Sequence, residues 1–422
     1  MNKNTAPTVA SPATQDSAPP LPHTHDIPHA PRPRTVIVTL GCLQILAWGS
    51  SFYLLGVLAK PIAGDTGWPS AFVVGGLSLA LLVAGLVSPQ VGRVIHARGG
   101  RPVLATSSLL FATGLALLAL APALPIYLAA WAVIGLGMAC GLYDPAFATL
   151  GRQYGHDARQ MITAVTLFGG FASTAAWPLS ALLLERFGWR EACAAYALLH
   201  AAVGLPAYLL LLPKRPPQIE AVAGRAPPSA RELPRERQTL ALVLLGLSLT
   251  VGAATLSLVS MHLLALLQAR GLTLAIAVGL GALVGPSQVG ARVIEMAVGR
   301  HFHPVWTMLA GTVLVAAGIV LLWTGAPIVA AALIAYGAGN GISSIVRGTV
   351  PLMLFGPTRY AVLMGRLGFP ILLAMAAAPT AGAMLIDLGG APLTFGVLSA
   401  ASLLNVALAL VLVWWCKRSA LG

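Results

Sequence analysis

Polar side chains recur at helical spacing inside a strongly apolar part of the chain. Tyr336, Asn340, Ser343, Ser344 and Arg347 fall on one face of a helix because their separations follow the α-helical period. A guanidinium group makes bidentate, charge-assisted hydrogen bonds to carboxylate or phosphate. We therefore predict that Arg347 binds an anionic group of a small substrate, with Tyr336, Asn340 and Ser344 as further contacts.

Asp144 and His262 are the candidate proton-coupling groups. Both lie within apolar stretches, where a carboxylate or an imidazole usually faces a partner or a water-filled cavity. His262 is suited to proton transfer because the unperturbed pKa of histidine is about 6.5. The alternative for His262 is a packed, hydrogen-bonded helix residue.

Three further residues are candidate substrate contacts. Gln44 and Trp48 share one face of the first apolar stretch, and Trp177 lies in the fifth. The two tryptophan rings would line the binding site, although tryptophans in apolar helices also pack against neighbouring helices. The alternatives of contact and packing stay open from the sequence.

A second group of residues is positioned to act as a gate. Gln288, Arg292 and Glu295 follow helical spacing in the eighth apolar stretch, and Arg292 and Glu295 are also spaced to form an ion pair within one helix. The remaining members lie in the basic segment GRVIHARGGR: Gly92, His96, Arg98, Gly99 and Arg101.

The composition requires that these residues sit in a membrane protein. The 422 residues are 57% apolar and only 9% charged, with a mean hydropathy of +0.84. A soluble domain carries about 25% charged residues, so this chain must present its surface to lipid.

The elements that position the candidates are about twelve membrane-spanning helices. Each apolar stretch is long enough for the roughly 20 residues that cross a bilayer. The predicted spans, numbered 1 to 12 in chain order, are 35–60, 70–91, 102–122, 125–151, 159–184, 191–212, 239–265, 274–298, 304–324, 326–352, 359–386 and 391–416.

The spans form two groups of six. Residues 35–212 are predicted to be an N-terminal six-helix bundle and 239–418 a C-terminal one, joined by a charged, Pro-rich linker at 213–238. Residues 1–34 have the composition of a disordered cytoplasmic tail. His23, His25 and His29 lie in this tail without fixed geometry, and no metal site is predicted.

The basic residues set the orientation. With both termini in the cytoplasm, only Lys60, Arg186, Arg190 and Arg270 fall in loops on the outer side. This asymmetry is the positive-inside pattern, so the net charge of +13 reflects topology and not nucleic-acid binding. We predict a multi-pass protein of the bacterial inner membrane, surrounded by lipid and monomeric.

The two halves resemble each other. An offset of 202 places Gly135 on Gly337 and Gly137 on Gly339, and Gly92 lies within PQVGRVIHA, which resembles SQVGARVIE in the second half around Gly290. A parallel six-helix repeat is the layout of one large class of transporters.

Residues 35–418 resemble the major facilitator superfamily (MFS). The family's loop pattern, Gly-x-Leu-Ala-Asp-Arg-x-Gly-Arg-Arg, is similar to GRVIHARGGR. Gly92, Gly99 and Arg101 match the pattern at its first, eighth and tenth positions. His96 replaces the usual Asp and Ala97 the usual Arg, so the charge lock attributed to this loop is either partly missing or depends on a charged His96. The pair Gly67-Trp68 resembles the monocarboxylate and organic-anion branch, and the helix 4 Arg of drug/proton antiporters is missing from WAVIG at 131–135.

The resemblance implies an all-α fold in which spans 1, 4, 7 and 10 line a central cavity. Asp144 and Arg347 would then face each other across it, either as a substrate and proton site or as a structural ion pair.

The leading function is a secondary active transporter of a small organic anion, coupled to protons, that works by alternating access. The alternative is a drug or toxic-compound efflux transporter of the same fold; a non-transporting membrane sensor is a third hypothesis. The phosphate loop of ATP-driven proteins is absent, and none of the twelve predicted spans contains His-x-x-x-His, Cys-x-x-Cys or paired carboxylates. We therefore expect no enzymatic activity, no cofactor and no metal site.

Overall fold

The computed structural model describes residues 33–213 and 235–420. All regular secondary structure in these two ranges is helical. The predicted tail at 1–34, its three histidines and the linker at 213–238 lie almost wholly outside the described residues.

The N-terminal half contains ten α-helices. A single turn of π-helix, His200–Gly204, lies between α9 and α10. The α-helices are α1 Pro33–Gly49, α2 Leu55–Thr66, α3 Ser70–Arg98, α4 Gly100–Ala119, α5 Leu124–Gly141, α6 Tyr143–Tyr154, α7 Ala158–Gly170, α8 Ala172–Phe187, α9 Trp189–Leu199 and α10 Leu205–Leu211.

The C-terminal half begins with α11 Arg235–Gln268, α12 Leu274–Gly281, α13 Val284–Val298 and α14 Pro304–Trp323. The last helical stretch, Val329–Ala420, has non-helical backbone angles at Gly356, Gly389 and Gly390. These glycines divide it into three segments, named here α15 (329–355), α16 (357–388) and α17 (391–420).

The described helices group into twelve segments at the places of the twelve predicted spans. Eight stretches are long and apolar enough to cross a membrane, two of which, Leu124–Phe187 and Val329–Lys417, contain more than one crossing. The all-α membrane fold predicted from the sequence is confirmed.

The structure corrects several predicted boundaries. Spans 1, 4 and 5 are each two helices, broken at 50–54, at Leu142 and at Phe171. Span 2 extends to Arg98 and span 3 starts at Gly100, because Gly99 turns the chain at a φ of 85°, an angle that glycine adopts without strain.

Glycines allow the helices of each half to approach closely, in equivalent ways. A Cβ atom on Gly135 of α5 would lie 2.5 Å from the Ala80 carbonyl oxygen of α3. One on Gly337 of α15 would lie 2.7 Å from the Val284 carbonyl oxygen of α13. The repeat read from the sequence therefore places the same small residue at the same helix crossing in both halves.

The two halves meet near the end of the molecule at which α1 begins and α3 meets α4, called here the termini end. A Cβ on Gly92 of α3 would lie 2.5 Å from the Ala361 carbonyl oxygen and 2.9 Å from the Gly365 Cα of α16. The α6 helix packs on α15 and α16, and α7 packs on α13. At the opposite end, α2 and α8 pack mainly on helices of their own half.

Candidate functional site

Asp144 and Arg347 form a bidentate ion pair between the two halves. Arg347 Nε donates to Asp144 Oδ1 at 2.7 Å, and Arg347 Nη2 donates to Asp144 Oδ2 at 2.5 Å. The Asp144 side chain is 10% exposed and the Arg347 side chain is 16% exposed. The juxtaposition that the family resemblance implied is therefore present in the structure.

A break in span 4 places Asp144 at a helix start. The α5 helix ends at Gly141, Leu142 is extended, and α6 begins at Tyr143. Asp144 thus lies in the first turn of α6, where a carboxylate is favoured by the helix dipole. Pro145 follows it, and proline is tolerated there because first-turn N–H groups have no partner within the helix.

Gln44 stabilises this break. Its Nε2 donates to the Gly141 carbonyl oxygen at 2.7 Å, and its Oε1 accepts from Trp48 Nε1 at 3.1 Å. Both ends of the fully buried Gln44 amide are therefore engaged inside the protein. In this structure the amide bonds to the end of α5, and a direct substrate contact by Gln44 stays a prediction.

Aromatic rings from α1, the segment after it and α6 lie together. The Trp48 ring centroid is 5.1 Å from that of Tyr143 and 6.3 Å from that of Tyr53. Tyr53 is in edge contact with Trp177 at 6.0 Å, and Trp177 Nε1 donates to the Tyr53 carbonyl oxygen at 3.3 Å. The structure brings the predicted Trp48 and Trp177 into one aromatic cluster, in which Tyr53 and Tyr143 are additional members.

Arg292 is buried and bonds to uncharged groups. Only 5% of the residue is exposed. Its Nε donates to the Gly341 carbonyl oxygen at 3.2 Å and to Ser344 Oγ at 3.1 Å, and Nη1 donates to the Thr166 carbonyl oxygen at 3.1 Å. Among the described residues, no carboxylate lies within 4.0 Å of this guanidinium.

Arg292 therefore links α13 both to α15 of its own half and to α7 of the other. The ion pair with Glu295 that the spacing allowed does not form. Glu295 Oε1 instead accepts from Thr307 Oγ1 at 3.0 Å.

Arg159 makes a second link between the halves at the termini end. From the start of α7 its Nη2 donates to the carbonyl oxygens of Gly299 at 2.7 Å and Phe302 at 2.9 Å. Burial and the nearby Arg159 charge together lower the pKa of His303, in the short connection before α14.

The basic loop uses a main-chain acceptor where the family pattern has an Asp side chain. Arg152, in the last turn of α6, donates to the carbonyl oxygen of His96. This carbonyl belongs to the last turn of α3, where the helix dipole favours a positive charge. The structure therefore links α6 to α3 without requiring a charged His96, while Arg98 is exposed and Arg101 bonds to the Leu209 carbonyl oxygen.

The polar row on α15 divides between two environments. Tyr336 is 2% exposed and belongs to the apolar core of the C-terminal half, beside Gly318 of α14. Asn340 is also buried, at 8% exposure. Ser344 contacts Arg292 and Arg347 contacts Asp144. A substrate role for Tyr336 stays a prediction.

His262 lies between α11 and α16. Its Nε2 is 2.8 Å from the Pro379 carbonyl oxygen; since a carbonyl only accepts, Nε2 carries the proton. Proton coupling through His262 stays a prediction.

Several residues of the region escaped the sequence analysis. Tyr143, Thr166 and Arg159 contribute through ring, carbonyl and loop contacts between distant helices, for which no local pattern exists. Only the sequence Gly141-Leu142-Tyr143-Asp144-Pro145 carried a signal, since Gly and Pro flank the helix break. Within the described ranges, no three His, Cys, Asp or Glu side chains cluster as metal ligands would.

Similar proteins share parts of this sequence. Monocarboxylate transporter 11 of Homo sapiens is 34% identical over 199 residues, which cover 45% of this chain and 39% of that protein. Monocarboxylate transporter 3 of Gallus gallus is 29% identical over 160 residues, covering 36% of this chain and 29% of that protein. The chain thus matches less than half the length of these curated relatives.

Solved structures share the fold. The human organic anion transporter MFSD10 superposes with a TM-score of 0.70 at 20% identity, over 90% of this chain and 100% of that one. The transporter FucP in the outward conformation gives 0.67 at 15% identity, over 90% and 99% of the two chains. The proton:xylose symporter XylE bound to 6-bromo-6-deoxy-D-glucose gives 0.66 at 14% identity, over 89% and 94%.

The family model for the Major Facilitator Superfamily matches residues 40–301. This match covers more than half of the chain and includes the basic loop, both parts of span 4 and Arg292. It shows that the chain belongs to the major facilitator superfamily.

Proposed function

We propose that the protein is a secondary active transporter of a small organic anion, coupled to protons, that works by alternating access. Members of its family are membrane transporters and not enzymes. The observation that carries the proposal is Arg292: a buried guanidinium at the contact between the halves, without a carboxylate partner among the described residues.

A buried charge is costly unless it is paired or hydrogen-bonded. The neutral acceptors around Arg292 engage each of its three nitrogens but leave its positive charge uncompensated. An anionic substrate would supply that charge, and a carboxylate matches the planar guanidinium in geometry. The names of the relatives, monocarboxylate transporters and an organic anion transporter, support the same substrate class.

Arg347 gives the site a second cation. Its Nε and Nη2 are held by Asp144, and both Arg292 and Arg347 lie within charge-interaction range of the Tyr143 hydroxyl. We place the substrate anion between the two arginines, beside the aromatic cluster of Trp48, Tyr53 and Tyr143.

Asp144 provides a route for proton coupling. A protonated Asp144 no longer neutralises Arg347, which then attracts the substrate anion; loss of the proton restores the ion pair and favours release of the anion. The proton and the anion thus stabilise the same state of Arg347, and a ligand moves a conformational equilibrium only through such differential binding.

Alternating access needs contacts between the halves that break reversibly. The links at the termini end include Arg159 and Arg292 bonded to carbonyl oxygens. The Arg159 charge also acts on the Glu295 carboxylate, but neither arginine forms an ion pair within the described residues. These hydrogen bonds can therefore break without separating an ion pair, which favours a rocking motion of one half against the other. We propose that this end faces the cytoplasm of a bacterial cell, and that the transporter is a monomer in the inner membrane.

Thermal-shift measurements on detergent-purified protein test the substrate class. A ligand that binds only the folded state stabilises it by RT ln(1 + [L]/Kd), about 2.7 kcal/mol at one hundred times Kd. We expect a monocarboxylate such as lactate to raise the melting temperature of the wild type and of Arg359→Gln, and to have no effect on Arg292→Gln. Arg359 is the matched control because it is exposed, at the start of α16.

Uptake into proteoliposomes tests transport and coupling. Labelled lactate should accumulate when an inward proton gradient is imposed, and Arg292→Gln should abolish the accumulation. Stabilisation only by lipophilic cations, equal in wild type and Arg292→Gln, would contradict an anion site and favour the efflux alternative.

A further inference from the structure

A separate cavity opens at the termini end of the N-terminal half, away from the contact between the two halves. It lies between the starts of α1 and α4, the end of α6 and the residues that follow α10. The cavity is open on one side, and its empty space together with the adjoining solvent measures about 430 Å³. Its position among helix ends places it at the level of the membrane surface.

Three arginines line this cavity: Arg98, Arg101 and Arg152. No Asp or Glu is among the lining residues, and within the described ranges no carboxylate lies within 4.0 Å of any of these guanidinium groups. Among the described residues, three positive charges therefore surround one cavity with no carboxylate in its lining.

The hydrogen bonds of these arginines are incompletely satisfied. Arg101 and Arg152 each donate through one terminal nitrogen to a carbonyl oxygen, whereas the Nε atoms of both are buried without an acceptor in the described structure. Arg98 is exposed and makes no hydrogen bond to any described residue. A buried donor without an acceptor is costly, so an acceptor bound in the cavity would stabilise the site.

The start of α4 adds to the positive potential. Gly99, its N-cap, provides no side-chain cap, so the first N–H groups of the helix carry the positive end of its dipole. A Cβ on Gly100 would overlap the side chain of Thr149. Glycine is therefore required where the backbone of α4 enters the cavity wall.

We propose that this cavity binds a phosphate group. The match is chemical: guanidinium groups bind phosphate oxygens through paired N–H donors, and an uncapped helix start is an anion site. Two sources share this chemistry: the headgroup of an anionic phospholipid in the adjacent leaflet, and a soluble phosphate ester. None of the lining residues belongs to α13 or α15, which carry Arg292 and Arg347; α6 is shared with the proposed substrate path, because it also carries Asp144.

Native mass spectrometry of the full chain tests the lipid source. Protein released from nanodiscs of phosphatidylglycerol and phosphatidylcholine should retain phosphatidylglycerol preferentially. One basic residue near a membrane surface contributes about 1 kcal/mol to such binding, so Arg98→Gln should weaken retention by about fivefold at that energy. Arg98→Lys should restore most of it, and Arg359→Gln, which removes an exposed charge outside the cavity, should match the wild type.

Thermal shifts with inorganic phosphate and glycerol 3-phosphate in neutral detergent test the soluble source. Stabilisation that is lost in Arg98→Gln but kept in Arg359→Gln would assign the site to a soluble phosphate compound. Equal lipid retention and equal phosphate response in wild type and Arg98→Gln would overturn the proposal. So would an equal loss in Arg98→Gln and Arg359→Gln, because the effect would then reflect general surface charge.

Discussion

Arg159 Nη2 lies 2.7 Å from the carbonyl oxygen of Gly299 and joins the start of α7 to the end of α13, across the two halves of the molecule. The same nitrogen reaches the Phe302 carbonyl oxygen at 2.9 Å. A cation at the C-terminal end of a helix is favoured by the helix dipole. The termini end is thus held together in part by a charge that bonds to neutral acceptors.

Removal of this contact should favour the conformation in which the termini end is open. Hydrogen bonds to a charged group contribute about 1.5–3 kcal/mol each, so Arg159→Gln should shift the equilibrium by at least tenfold. Spin labels at the start of α7 and the end of α13 measure the separation of the halves at the termini end. The distance distribution of Arg159→Gln should contain more of the longer distances than that of the wild type. Arg186→Gln, at the opposite end of span 5, is the control, and an unchanged distance distribution in Arg159→Gln would contradict the prediction.

The Asp144–Arg347 pair should show strong coupling in a double-mutant cycle. Breaking a buried ion pair by removal of one partner costs about 3–5 kcal/mol, because an uncompensated charge remains buried. Asp144→Asn and Arg347→Gln should therefore each lower the melting temperature.

The double variant Asp144→Asn/Arg347→Gln should recover much of the loss, since it leaves no unpaired charge. Thermal unfolding in detergent, followed by intrinsic tryptophan fluorescence, measures all four corners of the cycle. Additive losses would mean that the two side chains do not interact in the membrane protein.

The sequence predicted those features of the site that depend on chemistry within one helix. Arg347 and Asp144 stand out because a charge in an apolar helix needs a partner, and their juxtaposition followed from the family resemblance. The surroundings of Gln44 and Tyr336 could not be predicted, since helical spacing identifies a face but not the neighbour that covers it. Gln44 faces the end of α5, and Tyr336 faces α14.

The contacts to main-chain carbonyls could not be predicted at all. Every residue carries a carbonyl, and only the tertiary structure decides which helix end becomes an acceptor. Arg292 on Thr166 and Arg152 on His96 are examples. The bond from Arg152 to the His96 carbonyl oxygen also links α6 to the loop in a chain in which His96 replaces the Asp of the family pattern.

His262→Gln tests whether this histidine carries the coupled proton. Glutamine keeps an N–H donor for the Pro379 carbonyl oxygen, the partner of His262 Nε2, but does not titrate. If His262 is the proton carrier, uptake by His262→Gln should lose its dependence on pH between about 5 and 8, the range in which histidine titrates. A pH profile that superimposes on the wild type would leave His262 with a packing role.

Gly92 and its repeat counterpart Gly290 offer a matched test of the closed contact between α3 and α16. A Cβ on Gly92 would lie 2.5 Å from the Ala361 carbonyl oxygen, whereas a Cβ on Gly290 would meet no atom within 4 Å. Forced overpacking of this kind costs typically about 1–3 kcal/mol. Because the clash is between the halves, it should raise the energy of the closed termini end and leave each half intact.

We therefore expect Gly92→Ala to express and to bind substrate, but to transport several times more slowly than the wild type, because one state of the cycle is destabilised. Gly290→Ala should transport normally. Both variants replace a helical glycine by the best helix former, so their local helix propensities change alike, and only the contact across the halves differs. Equal transport rates for the two variants would show that the α3–α16 approach does not limit the cycle.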